Sequence, residues 1–451
     1  MYKKLFVLIP LVLLLGTPSF AAVGVFDNTK DIGGPAGIGS TVDEGYVWKG
    51  DHLTQQYLIS GGGADIWDTW DQFHYAYKTL TGDVRISASF EWVCASSDWA
   101  KMGVMLRASD SGGSIQYSTL DRKWYDYAGM QARVSTGGSS GEYGTAWTSG
   151  QVAMGIQRVT VGGLPFVEAL ADFGAGWVSR SIQLALNLPN EIMVGAVVTS
   201  HDNGALAQAR VYDVQYETNP SLVGTLTFAK VPESAAKDQA CSDVAGFKIR
   251  SIKSLVGMSY AYMDELLDTG FIMGVPGIEE GSRIDPVVNL RDTGDGNFGN
   301  NRSYPGIDPF EYPAADPAAG DDDDNFATEI LACVKLTAGL HIIGANSDDG
   351  TIIKIGGVEI GRTGEWKGAS DVDFIFEVAK EGWYSLQARH LEGGGGASIE
   401  LSEIINTPDG WKRVLLGDVA NGASPVVIPE PATIALLGLG GLALLGSRKR
   451  R

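Results

Sequence analysis

The stretch "EIMVGAVVTSHDNGALAQARVYDVQYE", residues 191 to 217, is typical of two β-strands joined by a short polar link. In both flanking runs, apolar residues alternate with polar or small ones, which is the pattern of a strand that buries one face. The link "SHDNG" is rich in residues that favour turns. The stretch therefore predicts strands of a half-buried sheet.

The same alternation recurs along most of the chain, for example in "VRISASFEWVCA" (84 to 95) and "KMGVMLRAS" (101 to 109). Helical spacing is found in residues 258 to 270, "MSYAYMDELLDTG", where Gly270 is the expected stop. The residues predicted to share one face of this helix are Met258, Tyr262, Leu266 and Leu267. The pattern predicts an all-β protein with little helix.

The length of 451 residues is too great for one hydrophobic core and predicts two domains. The break is expected at Asn219-Pro220, which interrupts the strand pattern. We therefore predict two β-sandwich, jelly-roll-like domains at 22–218 and 221–411, followed by a linker at 412–428.

The first 21 residues have the organisation of a signal peptide. Lys3 and Lys4 precede the apolar run from Leu5 to Leu15, and Ser19-Phe20-Ala21 supplies small residues at a cleavage site. Residues 1–21 are therefore predicted to direct export and to be removed.

The C-terminal stretch "PVVIPEPATIALLGLGGLALLGSRKRR" starts at residue 425. Its uncharged run, 432 to 446, is near the short limit for a membrane-spanning helix, because about 20 residues are needed to cross a bilayer core. The basic residues behind that run would stay on the cytoplasmic side. This pattern predicts a membrane anchor, which is the expected contact of the protein with a membrane.

Residues 429–451 resemble the PEP-CTERM sorting signal of Gram-negative and related bacteria. The resemblance rests on the Pro-Glu-Pro triplet, the hydrophobic helix and the basic stop, which comprise Pro429, Glu430, Pro431, Arg448, Lys449, Arg450 and Arg451. It implies cleavage by an exosortase-type protease and delivery to the cell surface or the extracellular matrix. An ordinary single-span tail anchor is the alternative, and both keep residues 22–428 outside the cytoplasm.

The composition is acidic. Removal of both terminal segments takes away six basic residues and one acid, Glu430, so the formal charge changes from −20 to −25. A surface of this charge argues against a nucleic-acid partner and suits cations or neutral glycans. Of the three cysteines, Cys241 and Cys333 are the expected disulfide, because both fall in the second half, and Cys94 is expected to be buried.

The first half, 22–218, resembles the concanavalin A-like jelly-roll family, which includes legume lectins and laminin G modules. The resemblance rests on "FDNTKDIGGPAGIGSTVDEGYVWKGD" (26 to 51), "DVRISASFEWV" (83 to 93), "WAKMGVMLRAS" (99 to 109) and "PNEIMVGAVVTSHDNGALAQARVYDVQY" (189 to 216). It implies a β-sandwich and identifies a fold more than an activity.

Some members of that superfamily hydrolyse glycans, with acids arranged as Glu-x-Asp-x-x-Glu on one strand. A retaining glycosidase needs two carboxyl groups about 5 to 5.5 Å apart. The nearest acids here, Glu168 and Asp172 in "FVEALADF", lack the middle acid. We therefore expect no enzymatic activity and assign no catalytic residue.

Two other stretches of the first half have both a binding and a structural interpretation. His201 and Asp202 are candidates for a glycan or metal loop, but a strand cap at His201 with a hairpin turn at 202 to 204 is the favoured interpretation. The rings of "DIWDTWDQFHYAY" would stack on sugars if exposed, and sandwich core is favoured for them. These rings are Trp67, Trp70, Phe73, Tyr75 and Tyr77.

The second half, 221–411, resembles the protective-antigen-type β-sandwich of anthrax toxin and of bacterial and yeast adhesins. The resemblance rests on "FATEILACVKLTAGLHIIGANSDDGTIIKIGGVEIGRTGEW" (326 to 366) and "AKEGWYSLQARHLEGGGGASIELSEI" (379 to 404). In lectins of this family two adjacent acids, joined by a cis peptide, bind calcium that holds sugar hydroxyls.

By that resemblance the calcium ligands fall on Asp348 and Asp349, with Asn346 as a further oxygen donor. The alternative is a plain Ser-Asp-Asp-Gly turn. The acids at 321 to 324 and at 371 to 373 are candidates for a second loop of the site, although neither has a spacing that matches the family.

These features predict an exported, non-catalytic protein of the cell surface or matrix, which binds an extracellular polysaccharide or glycan and is processed by an exosortase. The alternative is a structural coat or matrix protein without a discrete ligand. A glycan hydrolase is the third hypothesis.

Overall fold

The computed structural model describes residues 22–35, 37–123, 127–148, 153–291, 296–307 and 324–429. The predicted signal peptide, the acids at 321 to 323 and the sorting signal from Glu430 to Arg451 lie outside the described residues. The chain divides into two compact units, Met1–Leu226 and Thr227–Arg451. In both described parts the regular secondary structure is almost entirely β-strand, as the sequence predicts.

The first unit consists of strands that match the predicted alternating runs. They are β1 Asn28–Ile32, β2 Ser40–Lys49, β3 His52–Gly63, β4 Phe73–Thr81, β5 Val84–Cys94, β6 Lys101–Arg107, β7 Gln116–Arg122, β8 Tyr127–Arg133, β9 Gly141–Thr148, β10 Ala153–Val161, β11 Leu164–Asp172, β12 Trp177–Leu184, β13 Glu191–Thr199 and β14 Asp202–Thr218.

These strands form two antiparallel sheets that pack face to face. The first sheet has the order β1-β4-β13-β6-β7-β8-β9, and the second has the order β12-β11-β10-β5-β14-β3-β2. The main core contains inward-facing residues of both sheets, such as Val104 and Val194 of the first and Ile86 and Ile156 of the second. Because successive side chains of a strand point to opposite faces, every second side chain of the first sheet points away from this core.

A loop covers part of that other face. Residues 64 to 72, which connect β3 to β4 and which we call the cover loop, place Ile66 against Phe73, Tyr75 and Met105. These side chains form a second, smaller buried cluster outside the main core. The face of the sheet that the sandwich does not bury is thus partly closed by the chain itself.

The second unit is also a β-sandwich, with one α-helix among its described residues. Its elements are β15 Ala229–Val231, β16 Phe247–Lys253, α1 Tyr260–Thr269, β17 Phe271–Ile272, β18 Val275–Pro276, β19 Ile278–Asp285, β20 Asn289–Arg291, β21 Phe326–Leu336, β22 Gly339–Asp348, β23 Thr351–Ile355, β24 Val358–Arg362, β25 Ser370–Val378, β26 Gly382–Glu392, β27 Ser398–Thr407, β28 Gly410–Leu415 and β29 Val426–Val427.

The third sheet of the protein has the order β15-β25-β22-β27-β20, with β28 beside β27. The fourth has the order β19-β16-β21-β26-β23-β24, with β29 beside β21. Between them lies a core that includes Phe247, Ile343, Phe376 and Leu401.

The helix predicted in the second half is confirmed. Its N-cap is Ser259, whose side chain accepts a hydrogen bond from the Tyr262 backbone N–H, and Gly270 ends it in the left-handed conformation with φ 78°. Its buried side chains include the predicted Leu266 and Leu267. No helix in the described part of the chain has the length and hydropathy of a membrane span.

The cysteines differ in their surroundings. Cys241 and Cys333 are joined by a disulfide, with their Cα atoms 6.2 Å apart. The prediction that Cys94 is buried is wrong, because this free cysteine lies at the end of β5, where its side chain is exposed. The alternation of residues indicates the face on which a side chain lies and does not reveal whether that face is covered at the end of a strand.

We predict that Cys333→Ala selectively destabilises the second unit. The disulfide spans 92 residues, and closing a loop of that size removes chain entropy worth about 4.6 kcal/mol from the unfolded state. Urea unfolding followed by fluorescence should show one transition moving to lower urea. Cys94→Ser is the control and should move neither transition. A free Cys241 thiol in the untreated wild type, detected by mass spectrometry after alkylation, would contradict the disulfide.

Candidate functional site

A cleft of about 740 Å³ opens on the face of the first sheet that points away from the main core. Strands β6 to β9 form its floor, the cover loop forms one wall, and segments next to β6 and β13 form the rest. Its lining residues are Asp65, Trp67, Trp99, Lys101, Arg122, Gln131, Gly141, Glu142 and His201.

Strand register brings the floor residues together. Lys101 of β6 lies opposite Arg122 of β7, and Gln131 of β8 lies opposite Glu142 of β9. Lys101 also pairs with Thr199, the last residue of β13, so His201 follows close to the same end of the sheet. Polar residues at alternate positions therefore face outward while their neighbours enter the core.

A buried ionic cluster holds the cover loop in place. Asp71 accepts hydrogen bonds from Arg107 Nη1 at 2.6 Å and from Arg133 Nη1 and Nη2 at 2.7 Å each. All three side chains are fully buried, with 0% of their surface exposed. Such a cluster is stable only if the remaining N–H groups are also satisfied, because buried unpaired charge is costly.

Backbone carbonyls satisfy those N–H groups. Arg133 donates to the carbonyl oxygens of Trp67 and Asp68 in the cover loop, at 3.1 and 2.8 Å. It also donates to Gly138 O in the β8–β9 connection at 3.0 Å, and Arg107 donates to Gly112 O in the β6–β7 connection at 3.0 Å. The cluster thus ties three loops together and fixes the backbone that carries Trp67.

The charged side chains of the cleft form ion pairs. Lys101 Nζ contacts Asp65, and Arg122 contacts Glu142. His201 Nε2 lies 3.4 Å from Asp65 Oδ2. Burial lowers the pKa of the Lys101 ammonium, and the Asp65 carboxylate opposes that shift. The cations lie deeper than their partners: the Arg122 side chain is 10% exposed and that of Glu142 is 44% exposed.

Two tryptophans give the cleft an aromatic surface. The Trp99 ring is exposed, and it lies 5.9 Å from the Arg122 guanidinium carbon and 6.5 Å from the His201 ring. Trp67 is half-buried on the cover loop. A pocket with aromatic walls and a few convergent polar groups is the usual form of a small-ligand site.

The structure contradicts several sequence interpretations of the aromatic stretch and of residues 201 to 204. Phe73 and Tyr75 are fully buried, but in the smaller cluster beneath the cover loop and not in the sandwich core between the sheets. The core interpretation is wrong for the half-buried Trp67 and for the exposed Trp70. The hairpin at 202 to 204 is also wrong, because β13 and β14 belong to different sheets. His201, with φ 53°, lies in the link between these sheets and faces the cleft.

Sequence reasoning missed Lys101, Arg122 and Glu142. A weak signal was present, because a lysine and an arginine bracket the otherwise apolar run of β6, which predicts that one of its faces meets polar surroundings. Glu168 and Asp172, the nearest approach to a catalytic pair, serve structure. Glu168 is buried and accepts from Gln157 at 2.6 Å, and Asp172 accepts from two turn amides.

The acid pair of the second unit lies at the end of β22. The peptide bond between Asp348 and Asp349 is cis. Asp349 is buried, and its two carboxylate oxygens accept from the backbone N–H groups of Lys367 at 3.0 Å and Gly393 at 3.2 Å. Asp348 is half-buried, and its carbonyl oxygen accepts from His390 at 2.9 Å.

Asn346 lies beside this pair with a buried oxygen that has no partner. Its Nδ2 donates to Asp371 Oδ1 at 2.7 Å, whereas Oδ1 has no hydrogen bond. An unpartnered buried amide oxygen beside two carboxylates is chemically suited to a hard cation. The residues therefore fit calcium in kind, although no group of three His, Cys, Asp or Glu side chains among the described residues has metal-site geometry.

A lysine competes for that position. Lys367 Nζ donates to Ser347 O and, at 3.2 Å, to Ser370 O. Burial lowers the pKa of Lys367, and the charges of Asp348, Asp349 and Asp371 oppose that shift. Of the second-loop candidates, Asp324 accepts from Gly395 N, and Asp373 pairs with Arg413 at 2.9 Å. Asp371, from the same candidate stretch, is the acid that accepts the hydrogen bond from Asn346 Nδ2.

The predicted PEP-CTERM sorting motif is confirmed by comparison with protein families. Residues 427–451 match the PEP-CTERM protein-sorting motif. That motif implies export and sorting to the cell surface or extracellular space. No curated protein sequence matches the chain.

Among solved structures, the chain is similar to the PA14 domain of the antifreeze protein MpAFP, with 17% identity over 43% of this chain and 93% of that one and a TM-score of 0.28. It is similar to a PA14 sugar-binding domain from an RTX adhesin, with 15% identity, coverages of 41% and 94%, and a TM-score of 0.27. The epithelial adhesin 9 A domain of Candida glabrata, in complex with Galb1-3GlcNAc, has 10% identity, coverages of 45% and 95%, and a TM-score of 0.26. At these scores the similarities carry no functional argument for this chain.

We predict that Arg133→Met destabilises the first unit by about 3 to 5 kcal/mol, because Asp71 and Arg107 would remain buried with their network broken. Trp67 should become more exposed, which urea unfolding and a red shift of tryptophan emission would report. The control is Lys30→Met, which removes the exposed pair with Asp110 and should cost less than about 1 kcal/mol. Equal effects of both substitutions would show that the buried cluster has no special role.

Proposed function

We propose that this exported protein binds a glycan in the cleft of its first unit. The observation that carries the proposal is the juxtaposition of Trp67 and Trp99 with a floor of hydrogen-bonding side chains. A sugar ring has an apolar face of C–H groups and an edge of hydroxyls, so it is matched by aromatic rings beside polar groups. The volume of about 740 Å³ is in the range of small-ligand pockets.

The sorting motif supports this function through location. A protein delivered to the cell surface or extracellular space meets polysaccharides there, and the motif implies that route. We propose that an exosortase-type protease removes the C-terminal segment. The concanavalin A-like resemblance of the first half is consistent with a glycan ligand and is part of the same proposal.

The proposed role of the cleft is to bind the glycan without hydrolysing it. Its two carboxylates, Asp65 and Glu142, contact Lys101 and Arg122 respectively. A glycosidase needs two carboxyl groups placed at one scissile bond, whereas both carboxylates of the cleft are held in ion pairs with its cations. The chemistry of the cleft thus favours recognition of a ligand over attack on it.

We expect Trp99→Ala and Trp67→Ala each to weaken glycan binding by about tenfold, which corresponds to about 1.4 kcal/mol. Affinity electrophoresis of the secreted chain against bacterial and algal polysaccharides provides the measurement. Trp48→Ala, at an exposed tryptophan on β2, is the matched control and should bind like wild type. Binding that survives both cleft substitutions would disprove the cleft as the site, and failure to bind any polysaccharide would favour a structural coat protein.

The unpartnered Asn346 Oδ1 favours a second candidate site, in which Asp348, Asp349 and Asn346 bind calcium in the second unit. Calcium would supply a Lewis-acidic centre for sugar hydroxyls. The Lys367 ammonium, whose charge already interacts with both aspartates, would oppose the ion.

We expect calcium to raise the thermal unfolding midpoint of the full chain, and a chelator to reverse this. Asp349→Ala should abolish the shift, and Lys367→Gln should enlarge it because a competing positive charge is removed. Lys335→Gln, at an exposed lysine that pairs with Glu381, is the control. If calcium raises the unfolding midpoint of neither the wild type nor Lys367→Gln, the acid pair forms a turn and not a calcium site.

A further inference from the structure

The cleft contains buried positive charges, although the chain as a whole is strongly acidic. The protein has a formal charge of −20, yet two cations, Lys101 and Arg122, lie at the bottom of its cleft. Their side chains are 3% and 10% exposed. The acids that neutralise them are nearer to solvent, since the side chains of Asp65 and Glu142 are 23% and 44% exposed.

The pair of Arg122 with Glu142 is the more accessible of the two. Glu142 is on β9, the last strand of the first sheet, and its side chain reaches inward from this edge to the guanidinium. Asp65, by contrast, also lies near His201 and is part of the cover loop that the buried cluster holds. Glu142 is therefore the carboxylate that can leave the cleft without disturbing the loop.

From this arrangement we propose that the cleft is selective for an acidic sugar, whose carboxylate or sulfate group replaces Glu142 at Arg122 while the sugar ring stacks on Trp99. This inference rests on the proposed glycan-binding function. A guanidinium presents a planar fork of N–H donors that suits either anion. Trp99 lies 5.9 Å from that guanidinium, so one sugar residue can reach both.

The exchange conserves charge inside the cleft. Glu142 moves from a half-exposed position into water, where its carboxylate is fully hydrated, and the ligand anion takes over the contact with Arg122. Lys101, whose ammonium is destabilised by burial, gains from any further negative charge nearby. A neutral sugar carries no anion that could replace the Glu142 carboxylate. It therefore leaves the ion pair of Arg122 and Glu142 intact and forms fewer hydrogen bonds with the guanidinium.

The test measures binding of the full chain to three polymers: polygalacturonate, dextran sulfate and unmodified dextran. Arg122→Gln should weaken binding of the anionic polymers by about tenfold or more, and Glu142→Gln should strengthen it because the internal competitor is gone. Dextran binding should fall less than binding of the anionic polymers in Arg122→Gln, and Glu142→Gln should not strengthen it. Arg122→Lys, which keeps the charge and loses the fork, should fall between wild type and Arg122→Gln.

Two controls separate local recognition from general effects. Glu91→Gln removes an exposed acid that pairs with Lys49 outside the cleft, so it changes the net charge as Glu142→Gln does and should leave binding unchanged. Thermal unfolding midpoints of all variants establish that each is folded. A strongly acidic chain repels polyanions at long range, so affinity for them must come from a local site.

The outcomes distinguish this inference from the proposed function. Binding of polygalacturonate alone identifies a carboxylate ligand, and binding of dextran sulfate alone identifies a sulfate ester; both support the proposal. Binding that depends on Trp99 but favours neutral dextran would overturn selectivity for acidic sugars and leave glycan binding in place. Binding of no polymer, or equal responses of Glu142→Gln and Glu91→Gln, would also overturn it.

Discussion

The buried cluster of Asp71, Arg107 and Arg133 is the constraint on which the first unit depends. Two guanidinium groups and one carboxylate are removed from water, and this arrangement is tolerable only because backbone carbonyls accept the remaining N–H groups. Those carbonyls come from three separate loops. Each loop must therefore take one conformation, or a charged group is left buried without a partner.

The cleft is a consequence of that constraint. The cover loop carries Asp65 and Trp67 on a backbone that Arg133 holds, and it places them beside residues of β6 and β7. Rigid placement matters for sugar binding, because a ring that must be ordered on binding costs conformational entropy. The ionic cluster thus supplies stability and preorganisation together, whereas Glu142, in its pair with Arg122, remains accessible to a ligand.

Sequence periodicity was sufficient for much of the fold and for little of the site. The strands β5, β6, β13 and β14 and the helix α1 lie where the alternating and helical patterns predict them. The interpretation of "SHDNG" as a hairpin failed because turn residues reveal a change of direction and not which sheet receives the next strand. For the same reason the favoured interpretation of His201 was a strand cap, whereas this residue lines the cleft.

The sequence by itself determined that this is an all-β protein with a PEP-CTERM sorting motif, because alternation along a strand and an ordered set of terminal residues are local properties of the chain. Tertiary structure alone decided the cleft. Trp67, Lys101, Arg122 and His201 are far apart in sequence and meet only when strand order and register are set. Which face of a strand receives a covering loop depends on distant partners, and no local pattern contains that information.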